Sequence, residues 1–347
     1  MGARREYRVV DIAAQAGLSR ATVDRVVHAR DGVRPETVAQ VSRAIDELRR
    51  QREQVHLSAR TVLVDLVMQT PERFALASRG ALEAELRSLR PAVLRSRSHL
   101  SEHSDPAGAA ALLDGLGRRG SHGVILKAPD HPLVVDAVGR LADRGISTVT
   151  FVTDVPESRR VAYVGMDNAA AGATAGYLVA QCAGRSGGVL VTVSHSSFRG
   201  EEERVAGFLR TLAELAPRRQ LHPVRDTDGL DEAILAAVRG VLASHPSINA
   251  VYSAGGGNVA TLRAFDEAGI VPKVYVAHDL DDDNRALLRT RRISAVLHHD
   301  LGADMRRACR LLLRARGILP GRPVGIPSQV QVVTPYNEPA SFQGAQP

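Results

Sequence analysis

The sequence predicts an α/β protein with a small all-helical unit at its N-terminus, a short polar connector, and two lobes built on parallel sheets. Three observations predict this arrangement. The first stretch places its apolar residues only at helical spacing. From Thr61 onward short continuous apolar runs alternate with helical patterns, and polar residues recur where those runs end. At 347 residues the chain is too long for one small domain, and two or three units are expected.

The helical unit begins with VVDIAAQAGLSRATVDRVVH, ending at His28. Val9, Ile12, Ala13 and Ala16 form an apolar stripe, after which Gly17 supplies a residue that turns at positive φ without steric cost. Ser19 caps the next helix, where Val23, Val26 and Val27 fall on one side and Arg20, Ala21, Asp24, Arg25 and His28 on the other. Helices this short need a partner. Pro35 opens a third helix whose stripe is Val38, Val41, Ile45 and Leu48. Three short helices with a glycine turn fit a helix-turn-helix unit, whose second helix enters the DNA major groove. The same pattern also fits a helical cap with solvated charges.

Charge favours the first of these. Net charge is +7 and the sequence pI is about 10.0. Residues 1–60 hold 12 Arg against 8 Asp plus Glu, a local excess that would neutralise phosphates and make binding salt-dependent. The composition is Arg-rich throughout, however, with Lys127 and Lys273 the only lysines. From Arg49 to Arg60 the sequence RRQREQVHLSAR is polar and positive, and reads as a connector.

Beyond it, strands are expected at Val62 to Val67, Val124 to Leu126, Thr148 to Val152, Val161 to Val164, Val189 to Val193, Ala250 to Tyr252, Val274 to Ala277, Ala295 to Leu297 and Val330 to Val333. So many runs exceed one comfortable sheet, which predicts two sheets and two lobes. At the strand ends stand Gln69 and Thr70, Lys127 with Asp130, Thr153 with Asp154, Asp167 with Asn168, Asn258, His278 with Asp279, and His298, His299 with Asp300. Ligands of open parallel sheets bind outside the carboxyl ends of the strands, and donors and acceptors spread over many such ends suit a small polyhydroxylated molecule. Asp167, Asn168, Asp279 and Asp300 equally suit helix caps.

Several other chemistries are set aside. Gly184, Ser186 and Gly188 fit G-x-S-x-G, but a helix precedes them and a strand follows, the reverse of a nucleophile elbow. Gly255 to Gly257 follow a strand without a GxGxxG pattern or a phosphate-loop lysine, and suit close backbone approach to a ligand. His298 and His299 are adjacent and lack the spacing of a helical zinc pair, so neither a metal nor a cofactor is expected. Cys182 and Cys309 read as core thiols of a reducing compartment. Neither a signal segment nor a membrane span is visible, and a cytoplasmic protein is expected.

On these residues the chain resembles the lactose-repressor/galactose-repressor (LacI/GalR) family of bacterial transcription regulators. The resemblance rests on VVDIAAQAGLSRATVDRVVH followed by DGVRPETVAQVSRAIDEL, and on VAYVGMDNAAAGATAGYLVAQ, which is similar to the segment crossing between the lobes of these regulators and of periplasmic sugar-binding proteins. It implies a helix-turn-helix headpiece at residues 1–52, a hinge at 53–60 and a periplasmic-binding-protein-like (type I) effector domain at 61–347. Lobe one would span about 61–164 and 300–326, and lobe two about 165–299 and 327–340. The implied function is a repressor, not an enzyme, that binds a palindromic DNA operator as a homodimer and responds to a sugar or sugar-like effector. The alternative is a solute-binding protein serving a sugar transporter.

By the resemblance, Arg20, Ala21 and Arg25 read base edges, while Ser19, Thr22, His28 and Thr37 contact the DNA backbone. Asp24 stands where the family commonly has Ser; it either orders Arg20 and His28 along the helix or weakens phosphate binding. In the effector domain, Thr70, Lys127, Asp130, Asp154, Arg204, Asn258, Asp279 and His299 are the expected contacts, with Arg204 gripping ligand hydroxyls. Val152 occupies a position where the family often has an acid, and Thr153 and Asp154 are expected to replace it. The connector departs from the family hinge, with Arg52 near the proline position and Ala59 near the leucine position, Leu57 standing two residues early.

Overall fold

The structure, a computed structural model, describes residues 7–30, 32–58, 61–86, 89, 93–103, 105–184, 186–227 and 230–339, with the backbone alone for 49–58. The chain divides into two compact units, residues 1–62 with 89–93, and residues 63–88 with 94–347.

In the first unit, α1 (Val9–Ala16), α2 (Arg20–Val27) and α3 (Pro35–Ser58) enclose a small core of Ile12, Ala13, Ala16, Val23, Val41 and Ala44. Gly17 ends α1 at φ 64°, and the Ser19 hydroxyl accepts from the Thr22 amide at 3.1 Å to cap α2. Val38 departs from its expected place: it is 41% exposed, and the inward face of α3 runs through Val41, Ala44, Ile45 and Leu48. α3 continues as helix into the connector. RRQREQVHLS holds neither Pro nor Gly and is mostly made of good helix formers, so nothing in the backbone ends the helix at residue 52. Ala59 and Arg60, and the side chains of Arg52 and Leu57, lie outside the described residues.

The second unit holds two sheets. The first is built from β1 (Thr61–Gln69), α4 (Glu72–Leu86), β2 (Val93–Ser101), α5 (Pro106–Arg118), β3 (Gly123–Lys127), α6 (Pro132–Asp143), β4 (Ser147–Phe151) and β5 (Ala162–Val164), in the strand order β2-β1-β3-β4-β5. The second is built from α7 (Asn168–Cys182), β6 (Gly188–Thr192), α8 (Arg199–Leu215), β7 (Gln220–Val224), α9 (Asp231–Ser244), β8 (Ile248–Ser253), α10 (Asn258–Glu267), β9 (Val274–His278), α11 (Asp282–Arg289) and β10 (Ala295–His298). α12 (Leu301–Ala315) then returns to pack on α4 and β4, and β11 (Gln331–Val333) closes the second sheet, ordered β11-β10-β9-β8-β6-β7. β10 and β11 run antiparallel, while β1–β3, β3–β4, β4–β5 and the remaining pairs of the second sheet are parallel. The chain therefore passes between the sheets after β5, after β10 and before β11.

β2 and β7 were not expected from the sequence. Both are edge strands whose residues are largely half-buried or exposed, so neither carries the continuous apolar run of a central strand. Cys309 is buried as expected, but Cys182 is exposed, because it closes the last turn of α7 on the outward side. Asp167 and Asp300 cap α7 and α12, accepting from the amides of Ala170 and Ala303 at 2.9 Å, whereas Asp281 rather than Asp279 caps α11.

Candidate functional site

The helical unit offers one surface. On α2, Ser19, Arg20, Ala21 and Arg25 are exposed, and Thr22 and His28 half-buried; Thr37, in the first turns of α3, is half-buried too. Asp24 does not engage Arg20. Its carboxylate lies 2.9 Å from His28 Nδ1 and 3.6 Å from Arg30 Nη1, so it holds the basic groups at the C-terminal end of α2. Arg20 and Arg25, by contrast, are exposed and have no ion pair among the described residues.

The two-sheet unit contains a cleft of about 560 Å³, open to solvent, formed by loops at the carboxyl ends of strands from both sheets. Thr70, Arg73, Phe74, Lys127, Val152 and Thr153 come from the first sheet's side, and Ser194, Phe198, Glu201, Arg204, His278, Asp279, Asp281 and Asn284 from the second's. At its floor is Arg204, whose side chain is 4% exposed. Its Nε donates to Asn168 Oδ1 at 2.9 Å, and Nη1 donates to the Ala254 carbonyl at 2.9 Å and faces Asp279 Oδ2 at 3.5 Å. Among the described residues Nη2 is buried without a hydrogen-bond partner, as is Asp279 Oδ1. Burial opposes the Arg204 charge, but Asp279, Tyr252 and Glu201 around it raise its pKa further.

This arrangement is built by backbone. Asp279 adopts φ 64°, with its carbonyl accepting from Asn284 Nδ2 at 2.7 Å. Arg204 reaches the floor because α7 and α8 touch backbone to backbone: a Cβ on Gly172 would stand 1.8 Å from the Arg204 carbonyl oxygen. Val152 also stands at positive φ, 66°, which a β-branched residue adopts only under strain. Its carbonyl accepts from Asn168 Nδ2 and the Tyr163 hydroxyl, each at 3.2 Å.

Lys127 ends β3 with its Nζ donating to the Gln69 carbonyl at 3.1 Å and lying 3.9 Å above the Phe198 ring. Burial pushes its pKa down to about 8; Arg204 adds to the fall, and Glu201 and Asp279 oppose it. Glu201 is held by the amide and hydroxyl of Ser194, and burial raises its pKa against the pull of Lys127 and Ser194. Gly255 permits this: a Cβ there would meet Ser194 N at 2.7 Å and Glu201 Oε2 at 2.9 Å. His278 is kept neutral, its pKa well below the usual value through burial, Arg204 and His299, while its Nε2 pairs with the Tyr252 hydroxyl at 2.9 Å. Arg73 faces Asp281, Asp231 and Asp283 at 3.5, 3.9 and 4.0 Å across the cleft rim.

Of the expected effector contacts, Thr70, Lys127, Arg204 and Asp279 line the cleft. Asp130 stands beside it, paired with Arg199 at 3.6 Å and receiving no place in the lining. Asp154 departs further, because Arg160 and Thr150 engage its carboxylate. Asn258 is buried in the wall, donating to Asn284 Oδ1 at 2.7 Å and accepting from the Tyr275 hydroxyl at 2.8 Å. His299 lies behind Asp279, its Nδ1 2.5 Å from Asp304. Sequence reasoning missed Arg73, Ser194, Phe198, Glu201, Asp281 and Asn284. The polar run Ser194 to Ser197 directly after an apolar strand was the available signal for Ser194.

Among the described residues no group of three or more His, Cys, Asp or Glu is arranged to hold a metal ion, and no helix is long and apolar enough to cross a membrane. Residues 69–317 match the family described as "Periplasmic binding protein domain", and residues 9–49 match "Bacterial regulatory proteins, lacI family". No curated protein matches the sequence. Among solved structures, the fold is similar to an ABC transporter solute-binding protein from Burkholderia graminis in complex with D-arabinose, with TM-score 0.72 and 21% identity over 79% of this chain and 95% of that one. A glucose-galactose binding protein from Geobacillus stearothermophilus gives TM-score 0.71 and 18% identity over 81% and 100%. A carbohydrate transporter from Acidothermus cellulolyticus in complex with myo-inositol gives 0.70 and 17% over 80% and 96%. With most of its length matched, the chain belongs to the periplasmic binding protein domain family, and the lacI-family segment ahead of that domain gives it the architecture of a LacI/GalR regulator.

Proposed function

We propose that this chain is a ligand-responsive transcriptional regulator, most simply a repressor, that binds a palindromic operator as a homodimer in the cytoplasm and takes a sugar or polyol into its cleft. The observation that carries the reading is the pairing of a lacI-type headpiece with a cleft whose floor leaves a donor, Arg204 Nη2, and an acceptor, Asp279 Oδ1, both without partners. Buried polar atoms in this state are costly unless a ligand completes them. A free donor and a free acceptor on two residues that face each other suit a polyhydroxylated ligand, and the sugar and inositol bound in two of the similar structures support the same class. Charge in the cleft is close to balanced, with Arg73, Lys127 and Arg204 against Glu201, Asp279 and Asp281, which favours a neutral ligand.

In this reading Arg20, Ala21 and Arg25 read bases, and Ser19, Thr22, His28 and Thr37 hold the phosphate backbone. The ligand alters operator affinity only through different affinities for two states of the protein. A gel shift with the DNA upstream of the chain's own coding sequence, with and without members of a panel of aldoses, ketoses and inositols, tests both halves. Specific retardation that one panel member changes supports the reading. Sugar binding without any DNA retardation would instead identify a transport-associated binding protein. A thermal-shift screen with the same panel selects the ligand, since binding to the folded state raises its apparent stability.

A further inference from the structure

His299 is fully buried, at the point where the chain leaves β10 for α12, and is engaged on one side only. Its Nδ1 lies 2.5 Å from Asp304 Oδ2, and its Nε2 has no hydrogen-bond partner among the described residues but stands 3.7 Å from Asp279 Oδ1, an atom that also lacks one there. With the Nδ1 proton given to Asp304, a neutral ring presents a lone pair to a carboxylate. Two acceptor atoms then face each other, so the setting of one constrains the other.

The chain of contacts continues away from the cleft. Asp304 Oδ1 accepts from the Ser328 hydroxyl, and Ser328 Oγ accepts from Arg307 Nη1 at 3.1 Å. The Ser328 amide donates to the Gly165 carbonyl at 2.8 Å, and Ser328 pairs with Met166 in an isolated bridge. Arg307 also holds the Ile326 carbonyl at 2.6 Å. His299, Gly165 with Met166, and Ile326 with Ser328 belong to the three separate passages of the chain between the sheets. One cluster thus fastens all three passages and ends against a cleft residue.

We infer that His299, Asp304 and Ser328 are positioning residues: they act through His299 to set the Asp279 carboxylate, and they tie its setting to all three passages between the lobes. The inference rests on the effector reading of the cleft for the role of Asp279. A change in the setting of Asp279, which lines the cleft, is then felt through His299 at Ser328, which touches no ligand, and that is the route by which occupancy biases lobe geometry.

The test is hydrogen–deuterium exchange of the free, full-length chain, comparing wild type with Asp304→Asn, Ser328→Ala and Asp279→Asn. The amides of the three passages are the reporters, and the amides of β8 are the internal control. Loss of one member of a buried charged network is expected to raise exchange in all three passages together by about tenfold or more while β8 stays unchanged. The decisive variant is Asp279→Asn, because a purely structural Asp304–Ser328 contact would not respond to it. Faster exchange confined to the mutated passage, or no change at Ser328 in Asp279→Asn, overturns the inference. If Asp304→Asn also loosens β8, Ser328→Ala, which removes a single hydroxyl, carries the comparison. Because no ligand is used, a sugar panel that shifts no melting temperature would count against the effector reading and leave this result standing on its own.

Discussion

Arg204 shows how much one side chain is asked to do in the cleft. It is buried, fixed by Asn168 and Ala254, and still has one nitrogen to offer. Arg204→Ala is expected to abolish the ligand-induced thermal shift while DNA retardation by the free protein persists; loss of both would assign it a structural role. Leaving Asp279 without its counter-ion is expected to lower stability by about 3 to 5 kcal/mol in urea unfolding. At the headpiece, Arg25→Ala is expected to cost about 1 to 3 kcal/mol of operator affinity, read by titration of specific against random DNA. Equal binding of both DNAs by variant and wild type would remove Arg25 from base reading. Asp281 makes a pH prediction. Burial raises its pKa to about 6, so the folded state binds its proton more tightly than the unfolded chain does, and its contribution to stability falls as pH rises from about 4 through 6. Asp281→Asn is expected to remove that slope, changing the stability difference from wild type by about 1 to 3 kcal/mol across the interval. An unchanged slope would show that Asp281 titrates normally. Residue types at the strand ends were legible in the sequence, but side-chain direction was not. Arg160, six residues after Asp154, takes that carboxylate, and Tyr275 and Asn284 take Asn258, partners that only the fold brings near.

Among the elements, α7 and α8 set the site by how closely they approach. A Cβ on Gly207 would stand 2.1 Å from the Ala169 carbonyl oxygen, and one on Gly172 would stand 1.8 Å from that of Arg204, so backbone rather than flexible side chain blocks both. Gly172→Ala is expected to cost about 1 to 3 kcal/mol in urea unfolding, from overpacking, and to weaken ligand binding because α8 must move with Arg204 on it. A variant as stable as wild type would mean that the helices separate freely. The apolar run AAAGATAG makes this helix readable as buried, yet which glycines meet the partner helix depends on the crossing. Central strands were legible for a related reason. A strand covered on both faces must be apolar until it reaches the site, as β3 is before Lys127 and β9 before His278, whereas β2 reads VLRSRSHLS because its edge position leaves much of it in contact with water. The course of α3 past residue 52 follows from the absence of any helix breaker there, a local signal that the family pattern of a separate hinge obscures.

For the whole molecule, the order of parts was the most legible feature, since helical spacing gives way to strand-like runs at Thr61 and sets a helical unit ahead of a two-sheet unit. The cleft's composition was half legible: strand ends point to a site, but the loops that complete it, such as Ser194 to Phe198, arrive from the second sheet and carry no periodic signature. The thiols have a practical consequence. Cys309 is buried with its pKa pushed up to about 12, Cys182 is exposed at the end of α7, and the sequence contains no Trp. A maleimide dye would therefore mark the native chain at a single position, on a background without tryptophan emission, without any engineered cysteine. The same helix begins at Asn168, which holds Arg204, so a reporter attached at its far end sits on a helix joined by one hydrogen bond to the floor of the cleft.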